Sequence, residues 1–177
     1  MALVTAHDVL ASSTMAVPHG PAGVGAARRR MRADLIASGA TDTVVDDAVL
    51  ILSELLSNAC RHARPLSQDD SVRASWNRDT DGELTISVTD GGGPTRPLPA
   101  TPSISARGGR GLAIIGALAQ DWGVHEERYE LRDGRRQSDH EPATGVTVWV
   151  VLAAEGGIGE GLADSLALDL ASVDEVH

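Results

Sequence analysis

Apolar and polar positions alternate along this chain in blocks of two different periods. Between Pro21 and Gly39, Val24, Ala27, Met31 and Leu35 recur at helical spacing, so a first helix is expected over 21–38, with Pro21 at its opening turn. Thr41-Asp42 is a capping signal, and the run that follows predicts a long helix over 42–63, closed by Pro65. Val45, Ala48, Leu52, Leu55, Leu56, Ala59 and Ala63 form its apolar side, while Leu50 and Ile51 fall nearer the polar side. Residues 71–77 and 83–89 carry the period of two, and Asp79-Thr80-Asp81-Gly82 between them is a hairpin turn signature. A third helix is expected over 110–121, and strands over 122–130 and 146–153, with a short edge strand over 12–17 stopped by Pro18. Residues 90–110 hold glycine and proline without any period, a loop of about twenty residues of the kind that is more often functional than idle.

The pattern divides the chain into a loose start (1–11), a core of 12–153 and a tail of 154–177. In the tail, Ile158, Leu162, Leu166 and Leu170 recur every fourth residue among acidic side chains, with no arginine. The 177 residues are enough for one domain with a proper core, and with only 2% aromatic residues that core has to be aliphatic. All 15 basic side chains are arginine. Without lysine there is no P-loop, no Schiff-base enzyme and no conventional protein kinase. A formal charge of -10 argues against direct nucleic-acid binding and against an anionic membrane surface. The exception is Arg28, Arg29, Arg30 and Arg32, a basic cluster on the first helix that is either a solvated face or a docking surface for an acidic partner. Cys60 is the sole cysteine, which excludes an internal disulfide. No leader region and no membrane-length apolar run are visible, so a cytoplasmic protein is expected.

Three segments carry chemistry. Glu54 and Asn58 lie one turn apart on one face of the second helix, with His62 a turn further and Arg61 beside them. A carboxylate there can deprotonate a hydroxyl, and a carboxamide oxygen can meet a hard cation. Asp90 ends a strand and is followed by Gly91-Gly92-Gly93-Pro94, where a ligand can approach the backbone. Arg107-Gly108-Gly109-Arg110-Gly111-Leu112 leads into the third helix, whose free amides and dipole suit an anion. Taken singly, each is an ordinary polar helix face or glycine turn.

In this order the three segments resemble the GHKL (histidine kinase-like) ATPase family, most closely its anti-sigma-factor serine kinase branch, over roughly residues 12–153. ELLSNACRHA resembles the N box, VTDGGGP the first glycine box and RGGRGLAII the second, with the ATP lid over 91–109 between them. GVTVWVVL resembles the closing strand. The resemblance implies an α/β (α+β) two-layer sandwich of the Bergerat type, three helices on a mixed, largely antiparallel sheet. It also implies ATP and Mg²⁺ as cofactors. Asn58 would hold the metal, and Glu54 would be the base for a serine hydroxyl. Asp90 would read the adenine amine, with Gly92 allowing close approach. Arg107 would meet the γ-phosphate, and Arg110 would be a second lid cation. Gly109, Gly111 and Leu112 would give amides to the phosphates, Arg61 would add charge, and Thr147 would meet the nucleotide. Pro94 departs from the usual glycine and would stiffen the lid hinge, while the lid itself is expected to be mobile without nucleotide. The implied partners are a sigma factor and a small antagonist protein, with homodimerisation common among such regulators. The alternatives are a nucleotide-binding module without catalysis, a detached sensor-kinase domain and a scaffold.

Overall fold

The computed structural model describes residues 9–66, 70–93, 110–129 and 143–155. Most of the expected lid, with Arg107 and Gly109, lies outside the described residues, as do 1–8, the loop 130–142 and the tail from 156.

Five strands make one sheet: β1 (Val9–Pro18), β2 (Ser71–Asp79), β3 (Leu84–Asp90), β4 (Asp121–Tyr129) and β5 (Ala143–Leu152). Their order is β1-β2-β3-β5-β4. Every pairing among them is antiparallel, so the described sheet is not mixed at all. Three helices cover one face: α1 (Pro21–Ala37), α2 (Asp42–His62) and α3 (Arg110–Leu118). The architecture is the α+β two-layer sandwich that the sequence implied.

Local chemistry accounts for the element ends. Pro21 sits in the first turn of α1, where its missing N–H costs nothing. Thr41 Oγ1 accepts the Val44 N–H at the start of α2, Asp42 lies in the first turn, and Arg61 and His62 lie in the last, each with the favourable sign for the helix dipole. The β2–β3 turn closes on Gly82, whose φ of 86° is costly for other residues, and Asp79 Oδ1 accepts the Glu83 N–H at 2.9 Å.

The core lies between the sheet and the helices. Trp76 faces Ile86, Ile86 faces Val150, and Val150 faces Trp122 in successive registers, making an apolar row across four strands. Above it α2 contributes Val44, Val45, Ala48, Leu52, Leu55 and Leu56, all buried. Each of the Val and Leu side chains stabilises the fold by about 1.5–3 kcal/mol when fully buried. Ile51 is fully buried too, against the sequence expectation. It belongs to the same buried core as Ile115 and Leu118 of α3, and α2 packs against both α1 and α3. Leu50 remains exposed, as expected.

Candidate functional site

The chain alternates faces along the end of β3. Val88 points to the helices, Thr89 to the open face of the sheet, and Asp90 back to the helix side. Asp90 is only 8% exposed. Burial of the carboxylate raises its pKa above the ordinary value, while the Gly92 N–H and the nearby charge of His19 pull it down. Gly92 N–H donates to Asp90 Oδ1 at 2.8 Å, a turn that Gly92 makes with φ of 74°.

This turn is fastened to the end of α2. Gly91 N–H donates to Arg64 O at 2.7 Å, and Arg64 N–H donates to Gly92 O at 2.9 Å. The backbones touch so closely that a Cβ at Gly91 would stand 2.3 Å from Pro65 O, and one at Gly93 would stand 2.2 Å from His62 O. The glycines are therefore demanded by the α2 terminus as well as by any ligand. Asn58 is one turn back along the same helix, and Glu54 two. Both are half-buried, and neither forms a hydrogen bond among the described residues. Arg61 and His62 are exposed.

His19, which the sequence did not single out, completes the cluster. Its Nε2 lies 3.3 Å from both Ala59 O and Ala63 O, carbonyls of the last turn of α2. Carbonyls only accept, so these partners assign the proton to Nε2. Its own backbone N–H donates to Asp70 O at 2.8 Å. The only signal in the sequence was the turn Pro18-His19-Gly20-Pro21, which says nothing about a contact forty residues away.

Among the described site residues, the structure thus joins Asp90 and Gly92 to the helix that carries Glu54, Asn58 and Arg61. Arg110, Gly111 and Leu112 open α3 as expected, and their backbone is the described part of the second glycine segment. Thr147 is not brought to Asp90. It is paired with Thr89, and their hydroxyls bond at 2.8 Å on the other face of the sheet. The position opposite Asp90 is Val146, whose side chain is 3.4 Å from where a Cβ of Gly92 would be. Thr147 instead lines a shallow hollow of about 680 Å³ on the open face, with Arg73, Ser87, Thr89, His125 and Trp149. No cluster of three or more His, Cys, Asp or Glu that could hold a metal occurs among the described residues.

Comparisons with known proteins bear on the family and the fold. The family described as "Histidine kinase-like ATPase domain" matches residues 17–137. Among solved structures, the fold is similar to the crystal structure of the RsbU and RsbW domains of Rv1364c from Mycobacterium tuberculosis, at a TM-score of 0.54 and 19% identity. That likeness covers 80% of this chain and 32% of the other, so this chain spans about a third of its neighbour's length. Comparison with curated proteins finds no match.

Proposed function

The chain belongs to the histidine kinase-like ATPase domain family, and from that premise we propose that it is a Mg-ATP-binding regulator acting as an anti-sigma-factor serine kinase. Membership implies ATP as the ligand. The finer reading is that the protein phosphorylates a small antagonist protein on serine and sequesters a sigma factor.

The observation that carries it is the placement of Asp90. A carboxylate buried at a strand end, satisfied on one oxygen by Gly92 N–H, keeps a second oxygen for an exocyclic amine. It sits where the β3 exit crosses the helix bearing Glu54 and Asn58. Asn58 fits a hard cation: its amide is half-buried and unbonded among the described residues, and a carboxamide oxygen is an accepted ligand for Mg²⁺. Bound there, the metal would supply charge against the phosphates.

The remaining roles are those that the family resemblance implies. Glu54, one turn before Asn58, takes the proton of the attacking serine hydroxyl. Arg107 and Arg110 bring guanidinium charge to the terminal phosphate from the lid and the start of α3, in place of a lysine. Gly109, Gly111 and Leu112 offer helix-start amides, and Arg61 adds charge from the exposed side of α2. Thr147, paired with Thr89, is given no part in this reading.

Calorimetric titration of Mg-ATP into the folded protein tests the reading. Binding is expected in the wild type, and Asp90→Asn is expected to weaken it at least about tenfold, the worth of a charge-assisted hydrogen bond. A folded wild type that binds no Mg-ATP would overturn it. For the kinase step, Glu54→Gln should retain binding and lose about 10²–10⁴ in transfer rate to a serine-bearing antagonist.

A further inference from the structure

The outer surface of the α1–α2 hairpin differs from the rest of this acidic protein. Arg28, Arg29, Arg30 and Arg32 are all exposed along α1. Arg30 pairs with Asp34 on its own helix, and Arg32 reaches across to Asp46 of α2 at 2.7 Å. Two exposed aliphatic side chains flank that cross-helix pair, Ile36 at 55% and Leu50 at 41%. Each stands one turn beyond a member of the pair on its own helix, so the four residues share one surface. Large aliphatics beside guanidinium groups, on the outer face of a helical hairpin, suit an apolar helix with acidic flanks.

The chain carries such a segment. Ile158, Leu162, Leu166 and Leu170 define a single helical stripe, and Glu160, Asp164 and Asp169 accompany it, with no basic residue from 156 to the histidine at 177. Its point of departure is also suitable. A Cβ at Gly82 would lie 2.9 Å from the Ala154 side chain and 3.6 Å from Arg78 Nη2. Arg78 Nη1 in turn donates to Ser38 O at 2.6 Å, at the end of α1. The chain therefore leaves the described fold beside the end of the hairpin that carries Ile36. From there a helix over Ile158–Leu170 would run about 18 Å, within the roughly 25 Å of α1 itself.

We propose that the acidic segment 156–177 docks in cis on the α1–α2 hairpin. Its aliphatic stripe lies on Ile36 and Leu50, and its carboxylates face Arg28, Arg29 and Arg32. Docked there, the segment covers the basic face and competes with any other acidic chain for it. The inference is independent of the nucleotide reading, since none of these residues belongs to that site.

Backbone NMR of the full chain tests it, with two surface-neutral pairs of substitutions. Leu162→Ser with Leu166→Ser should shift the amides around 32–36 and 46–50. Ile36→Ser with Leu50→Ser should shift amides within 158–170. Both effects should be the same at protein concentrations tenfold apart, and should shrink at high salt as the arginine attraction is screened. Absence of either reciprocal shift would overturn the proposal. Shifts that grow with protein concentration would overturn it as well, by showing that the surface is met by a second copy.

Discussion

A carboxylate that is 8% exposed stays useful to a protein only if something outside the fold repays its burial. Asp90 is in that position. With its folded pKa raised above the ordinary 3.8, the native chain holds more proton than the unfolded chain in the window between the two values. Stability therefore falls as pH rises through that window and stays lower above it. Asp90→Asn keeps an acceptor for Gly92 N–H and removes the charge. The variant is expected to melt higher than wild type at pH 7, with the difference vanishing below the ordinary 3.8, while its affinity for ATP is weakened at least about tenfold. Melting curves at a series of pH values check the sign; a variant less stable than wild type at neutral pH would contradict it. Thr147→Val should behave in the opposite sense. Its hydroxyl serves Thr89 on the open face, so the substitution should cost about 1 kcal/mol of stability and leave ATP affinity within about twofold. Thr147 marks a limit of sequence reading at this scale: a motif counts positions, and whether Thr147 or Val146 faces Asp90 depends on the register of β5 against β3.

The helices and the hairpin were legible because each carries its own period and its own punctuation. Thr41, Pro65 and the Asp79–Gly82 turn mark ends that the structure reproduces to within two residues. The place of Ile51 was not legible. A helical wheel shows one buried stripe, but α2 packs against α1 and α3 as well as the sheet, and such packing is a long-range choice. The wholly antiparallel order of the described strands was equally out of reach, since β5 inserts between β3 and β4 and pairing is a long-range choice. Glycine substitutions separate site elements from ordinary ones. Gly93→Ala would push a methyl group against His62 O, which is backbone at the end of α2 and cannot yield cheaply. A loss of about 1–3 kcal/mol is expected, with weaker ATP binding as the Asp90 turn shifts. In α3, Gly116→Ala meets nothing within 4 Å at an exposed helical position and should stabilise by about 0.5–1 kcal/mol. Denaturant titration of the two variants measures both signs.

Over the whole molecule, the candidate site is assembled from stretches that the sequence keeps far apart: the β1–α1 junction, the end of α2 and the exit of β3. The glycines join the last two through backbone hydrogen bonds, and His19 joins the first to the second. The imidazole satisfies two carbonyls at a helix terminus that otherwise has few donors, and its charge also acts on Asp90. Loss of that ring should be felt in two measurements at once. His19→Ala leaves Ala59 O with the Ala63 N–H alone and removes the imidazole from Ala63 O, so stability should drop by about 1–2 kcal/mol. ATP affinity should fall with it, because the end of α2 that supports Gly91–Gly93 is less firmly held. His19→Gln offers an N–H from a side chain of similar reach and should recover most of both losses. A His19→Ala protein that loses stability yet binds ATP unchanged would confine the histidine to capping α2. If both properties fall in His19→Ala and return in His19→Gln, the donor itself links the start of the fold to the nucleotide site.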